Sequence, residues 1–253
     1  MGLKSVLVIT PTTGSPELID AIVSVSNQSY LNVDHLIVVD GFDYTNAVDQ
    51  IFSDYDLNGA KGIIRVDLPF NTGGNGFYGH RVMAAFGHLI DHDYVIFLDQ
   101  DNWFDITHVE TMVKEIEQFN LDWTYSLRKI YSKEREYICD DNCESLGRWP
   151  VWTNENTHLV DSSSYCFKTE FFRSVCYLWD HGWGADRRFY TILKDNFKHQ
   201  NYTCTGKHTL CYRLGGNADS VQKEFFIEGN KETYIKYISE SGKDKYQIGR
   251  AHV

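Results

Sequence analysis

The stretch that most constrains this chain is residues 94–102, Tyr-Val-Ile-Phe-Leu-Asp-Gln-Asp-Asn. Four apolar residues, 95–98, run unbroken, and Asp99 and Asp101 follow one residue apart. An apolar run that turns polar predicts a buried strand whose C-terminal end opens into a crevice. Ligands of open α/β sheets bind at that end of the strands. Two aspartates two positions apart on extended backbone project to the same side. Their carboxylates repel unless a cation lies between them. Oxygen ligands favour Mg²⁺ or Mn²⁺, which in turn can hold a diphosphate. The aspartates would otherwise cap the helix that follows. Asp105 is the better N-cap for it, because Val109, Met112, Val113 and Ile116 then share one face.

The first hundred residues alternate strand and helix signals. Residues 6–9 read as a strand running into Thr10-Pro11-Thr12-Thr13-Gly14. Ser15-Pro16-Glu17 then opens a helix with Ile19, Ile22, Val23 and Ser26 on its face. A second strand, 35–39, ends at Asp40-Gly41 and leads to a helix over 45–52. The third strand is 62–68, followed by a glycine-rich loop over 71–79 and a helix over 80–90. This alternation predicts βαβ units and a mostly parallel sheet flanked by helices. The strand ends bring Thr10, Thr12, Asp40, Asp99 and Asp101 towards one crevice, so residues 1–102 read as a nucleotide-binding half.

The second half is less regular. Strand signals occupy 121–127 and 158–167, with one or two short strands within 202–214. Helices are expected over 170–177, 187–197 and 222–238, the last weakened at Gly229. Residues 129–156 show little periodicity, as a functional loop would. The last dozen residues are polar and expected to fray. No linker or repeat divides the 253 residues, so one domain, 1–253, is the economical reading.

Several side chains invite chemistry. Asp40 either accepts hydrogen bonds from a base or ribose, or belongs to an Asp-Gly turn. Asn71 and Gly73 begin a loop whose glycines let backbone approach a ligand, though no Gly-Lys-Ser/Thr closes it as a Walker loop. His80 and Arg81 stand at its end, placed to contact phosphate or to face solvent. Asp186, after Gly182-Trp183-Gly184-Ala185 at a helix start, is placed as a general base, or else as a helix cap or ion-pair partner of Arg187 or Arg188. Trp183 is an apolar wall or a sugar platform. His208 completes a metal shell with Asp101, or is structural; His158 is a comparable choice.

The net charge of −11 argues against nucleic-acid binding, which needs a basic face. No signal peptide or apolar run long enough to span a bilayer is evident. Six cysteines, none in Cys-x-x-Cys pairs, point to free thiols and a cytoplasmic setting.

These pieces resemble the inverting, GT-A-fold glycosyltransferases of the family 2 type. The matching segments are Val6-Leu7-Val8-Ile9-Thr10-Pro11-Thr12, Ile37-Val38-Val39-Asp40-Gly41, Asn71-x-Gly73, Phe97-Leu98-Asp99-Gln100-Asp101-Asn102 and Gly184-Ala185-Asp186. They arrive in the family's order over roughly residues 5–190. The resemblance implies that Thr10, Thr12 and Asp40 line the nucleobase and ribose site. It implies that Asp99 contacts ribose or metal-bound phosphate, that Asp101 binds Mn²⁺ or Mg²⁺, and that Asp186 deprotonates an acceptor hydroxyl. Two segments depart from the family's pattern: Asp40-Gly41-Phe42-Asp43 stands where Asp-Asp-Gly-Ser is common, and Ala185-Asp186 where Glu-Asp is common.

The expected activity is transfer of a sugar, with inversion, from a nucleotide sugar, UDP-sugar foremost, to a hydroxyl on a glycan, lipid-linked sugar or protein. Residues 103–253 are then the acceptor-binding half. Residues 131–152 are expected to form an acceptor lid, with Trp149 and Trp152 either stacking on sugar or packing in the protein. A sugar nucleotidyltransferase is disfavoured, since residues 10–15 contain no Lys or Arg. A catalytically inactive binding or structural protein of the same fold is the other alternative, against which Asp99, Asp101 and Asp186 are all retained.

Overall fold

The computed structural model describes residues 2–57, 59–60, 62–197, 199–215 and 221–239. β1 (Val6–Thr12) is buried at every position and lies parallel between β2 (Val33–Val39) and β4 (Tyr94–Phe97). β3 (Ile63–Asp67) continues the parallel sheet outside β2. β1, β2 and β4 are covered on both faces over residues 6–9, 36–39 and 95–98, which is why those runs are continuously apolar in sequence.

α1 (Leu18–Ser26), α2 (Thr45–Asp54) and α3 (His80–Phe86) make the connections. The face of α1 is rotated from the expected one. Leu18, Ala21, Ile22 and Val25 are buried, while Val23 and Ser26 are exposed. The helix begins two residues later than Pro16, and the Ser15 hydroxyl bonds the Glu17 carboxylate instead of capping.

Beyond β4 come β5 (Trp103–Phe104), α4 (His108–Phe119) and β6 (Trp123–Tyr131). Val109, Met112, Val113 and Ile116 are buried along α4, as their spacing requires. Asp105 is not its N-cap. The carboxylate of Asp105 pairs with the Lys129 ammonium, and only its carbonyl reaches the helix, accepting from His108 N.

The stretch expected to be an irregular loop holds the end of β6, then β7 (Tyr137–Asp140), β8 (Pro150–Val151) and β9 (Asn154–His158). β7 pairs only with β6, and β8 with β9, so their polar faces leave little apolar periodicity to read. β10 (Tyr165–Lys168), α5 (Thr169–Val175), α6 (Ala185–Asn196), β11 (Tyr202–Arg213) and α7 (Lys223–Ser239) complete the described chain. The polar last dozen residues lie outside it.

Among the described residues the main sheet runs β3-β2-β1-β4-β10-β6-β11-β5, with β7 on β6. β10 is antiparallel to both β4 and β6. It joins the parallel first half to a second half in which β6 and β11 run parallel, with register irregularities on either side of His208. A large aromatic core, including Trp123, Tyr165, Phe167, Trp179 and Phe189, fills one side of the sheet.

α7 is continuous across Gly229. A Cβ there would lie 2.5 Å from Trp152 Nε1 and 2.7 Å from Cys143 Sγ, so glycine lets helix and loop touch. Trp152 packs against Phe225 at 5.5 Å between ring centres, and Trp149 against the main core. Both tryptophans are packing residues. All six cysteines are free thiols. Among the described residues no helix is long and apolar enough to cross a membrane.

Candidate functional site

The C-terminal ends of β1, β2 and β4 open on a cleft of about 610 Å³. Thr12, Asp40, Asn71, Gly73, Asp99, Asp101 and Asp186 all line it. Residues from both halves of the chain therefore meet, and α6 brings Asp186 to the strand ends from far along the sequence.

Thr10 does not line the cleft. It is fully buried, with its hydroxyl 2.8 Å from His35 Nε2. Arg81 also lies outside the lining: its Nε donates to Asp180 at 3.0 Å, and its guanidinium rests on Phe77 at 3.4 Å. His208 is placed away from Asp101's cleft as well. Its Nδ1 lies 3.9 Å from Asp140 Oδ2, and burial lowers its pKa. His158 Nδ1 is engaged by the Gly147 carbonyl at 2.8 Å.

Asp40 has a role that neither sequence reading anticipated. Its Oδ1 accepts from Thr72 N at 2.7 Å and Thr72 Oγ1 at 2.8 Å, and its Oδ2 from Gly73 N at 2.8 Å. The carboxylate thus pins the glycine-rich loop over the end of β2. Gly73 must be glycine, because a Cβ would sit 2.1 Å from Tyr78 O. Gly41, at φ +124°, brings the turn against Asn71 N, 2.9 Å from where its Cβ would be. Thr12 is fixed too, donating its hydroxyl to Gln100 Oε1 at 2.7 Å.

Asp99 is held by serines from the turn before β10. Its N–H donates to Ser163 Oγ at 3.0 Å, and its Oδ2 accepts from Ser162 Oγ at 3.2 Å. Burial pushes its pKa up to about 8, reinforced by the negative charges of Asp161 and Asp101. Burial raises Asp101 as well. Asp186 occupies the first turn of α6, two residues after Gly184, which sits in the left-handed region at φ +79°. Burial raises its pKa, while the Arg187 N–H at 2.8 Å from Oδ1 and the Arg187 charge oppose the rise. A half-buried carboxylate with a raised pKa has the proton affinity a general base needs.

Sequence reasoning missed the floor of the cleft. Arg128, on β6, is buried and donates to Asp141 at 2.7 Å, to Asp161 at 2.7 Å and to Glu144. Glu144 also receives Arg187, at 3.3 Å. Arg213 donates to the Asp101 carbonyl at 2.9 Å. The acidic run at residues 140–144 was visible in sequence, but nothing local marked Arg128 as its partner. Among the described residues no group of three or more His, Cys, Asp or Glu side chains forms a ready metal cage. The cleft's own donor set is the hard oxygens of Asp99 and Asp101, which suits Mg²⁺ or Mn²⁺ carrying further waters or phosphate oxygens.

Three comparisons place the chain among known proteins. The family model described as glycosyl transferase family 2 matches residues 5–175. No curated protein matches it. Among solved structures, S. aureus TarS 1–349 in complex with UDP-GlcNAc aligns with a TM-score of 0.61 at 14% identity, covering 96% of this chain and 69% of that one. The same TarS fragment with UDP gives a TM-score of 0.58 at 13% identity, over 96% and 68% of the two chains. At such identities the likeness concerns the fold, which is GT-A.

Proposed function

The chain belongs to glycosyl transferase family 2, and from that premise we propose that it moves a sugar from a UDP-sugar to an acceptor hydroxyl with inversion, using Mg²⁺ or Mn²⁺. The observation that carries this is the meeting in one cleft of Asp99 and Asp101, at the end of β4, with Asp186 at the start of α6. The UDP and UDP-GlcNAc complexes of TarS support the choice of nucleotide.

Thr12, at the end of β1, and Asn71 and Gly73, on the loop that Asp40 holds in place, face the nucleoside. Thr10, bonded to His35, supports β1 from inside the sheet below its cleft end. Asp99 and Asp101 would hold the cation. A bound divalent cation supplies positive charge to the departing diphosphate. Asp186 accepts the proton of the acceptor hydroxyl as its oxygen bonds to the anomeric carbon. The bond from that carbon to the diphosphate oxygen breaks on the opposite face, which inverts the centre.

The test is nucleoside diphosphate release from UDP-, GDP- and dTDP-sugars with Mn²⁺, with Mg²⁺ and with EDTA. Release from UDP-sugar should require metal, vanish in Asp101→Ala and fall at least a hundredfold in Asp186→Asn, on the scale of general-base contributions. If no donor is turned over and no nucleotide raises the melting temperature, the reading is wrong.

A further inference from the structure

The acceptor end of the cleft is more informative than the activity alone requires. Trp183 lines it with 69% of its surface exposed, three residues before Asp186. The indole is nevertheless carried on a held turn. A Cβ on Gly182 would lie 3.2 Å from Gly76 O, so the turn rests on the glycine-rich loop, and Gly184 sends the chain directly into α6. The Arg187 guanidinium lies 5.6 Å from the ring centre. An indole left in water beside a general base, on backbone fixed from both sides, offers a flat apolar face that fits the CH face of a sugar ring.

His80 supplies the second observation. It lines the same cleft, close enough to Asp186 for that carboxylate's charge to act on the ring, with Nδ1 2.9 Å from the carbonyl oxygen of His181, two residues before Trp183. A carbonyl only accepts, so Nδ1 carries the ring proton and Nε2 keeps its lone pair. Among the described residues Nε2 has no hydrogen-bond partner, and it is not sealed from solvent. Burial lowers the pKa of the ring, so it stays neutral near pH 7. The acceptor end therefore presents a platform and two hydrogen-bond acceptors, the Asp186 carboxylate and His80 Nε2. An isolated serine or threonine hydroxyl would satisfy one acceptor and leave the platform bare. A ring with neighbouring hydroxyls satisfies all three features.

We propose that the acceptor is a saccharide whose ring lies on Trp183, with the reacting hydroxyl at Asp186 and a neighbouring hydroxyl donating to His80 Nε2. The proposal rests on the transferase reading above and, of the acceptor classes left open by the sequence, selects a sugar, free or lipid-linked, over a protein hydroxyl.

The experiment titrates the full chain, with UDP and Mn²⁺, with methyl glycosides of hexoses and N-acetylhexosamines. Sorbitol and a Ser/Thr peptide serve as comparators. Intrinsic tryptophan fluorescence reports binding, and nucleotide release from UDP-sugar reports transfer. A saccharide should change the emission saturably in wild type and not in Trp183→Phe. Trp183→Ala should raise KM for that saccharide about tenfold, with a smaller fall in kcat. A monodeoxy analogue lacking the neighbouring hydroxyl should lose about tenfold in kcat/KM with wild type and His80→Gln, yet nothing further in His80→Leu. A structural role for His80 would not produce that selectivity.

The proposal is overturned by an unchanged KM in Trp183→Ala, by release stimulated only by sorbitol or the peptide, or by the absence of any fluorescence response to saccharides. These failures differ from failure of the transferase reading. If UDP binds and donor hydrolysis proceeds without a saccharide response, only the acceptor assignment falls. If UDP itself does not bind, the parent reading falls with it.

Discussion

His35 provides a stability test that reaches the base of the cleft. It lies on β2 with 2% exposure, its Nε2 on Thr10 and its Nδ1 without a partner among the described residues. Burial drives its pKa down to about 3 from the ordinary 6.5. The unfolded chain therefore binds more protons between those values, and stability is lost as pH falls through that window. At pH 5.0, about 1.5 pH units below the unfolded value, the loss is ~2 kcal/mol, from ~1.4 kcal/mol per pH unit. The whole-protein pH profile also contains Asp99, Asp101 and Asp186, whose raised values act in the opposite direction. The measurement must therefore be a difference. His35→Gln keeps a hydrogen bond to Thr10 and removes the titration. Urea unfolding of both proteins at pH 7.5 and pH 5.0, followed by tryptophan fluorescence, should show the variant gaining ~2 kcal/mol on wild type as pH falls. Parallel pH profiles would refute the assignment of a neutral, unprotonatable His35.

Three further perturbations test the packing and the site. Arg128→Met strands the carboxylates of Asp141, Glu144 and Asp161, and should cost about 3–5 kcal/mol in urea unfolding, as loss of one partner from a buried ion network does. Gly229→Ala drives a methyl into Trp152 and Cys143, and should destabilise by about 1–3 kcal/mol despite the better helix propensity of alanine, read as a lower melting temperature. Asp40→Ala releases the Thr72 and Gly73 amides, and should raise KM for the donor roughly tenfold while kcat at saturation falls less.

The first half of the fold was legible because its parallel strands are covered on both faces. Residues 6–9, 36–39 and 95–98 form unbroken apolar runs there, and polar residues begin where each run nears the cleft. The face of α1 was misread because Pro16 invites an early helix start, whereas Leu18 is the first residue the core holds. The second half resists reading for a related reason. β7, β8 and β9 lie on edges or in a hairpin, so half of each strand meets solvent and the apolar signal disappears. Trp149 and Trp152 stayed open between sugar stacking and packing because the helix expected over 222–238 carried no sequence sign that it would cover Trp152.

The site residues divide by how their charge is met, and sequence cannot show this. Asp40 is satisfied by amides and a hydroxyl of the loop it pins. Asp141, Glu144 and Asp161 are met by Arg128. Asp99, Asp101 and Asp186 share the same cleft, yet among the described residues no Lys or Arg lies within ion-pair distance of them. All three also have raised proton affinity. A carboxylate partly withdrawn from water without a partner costs stability unless a cation or a proton answers it. A protein that pairs its other cleft acids with Arg128 had the means to pair these as well. Leaving them unmet accords with the proposed transfer, in which their partners arrive with the substrates: a divalent cation for Asp99 and Asp101, and a transferable proton for Asp186.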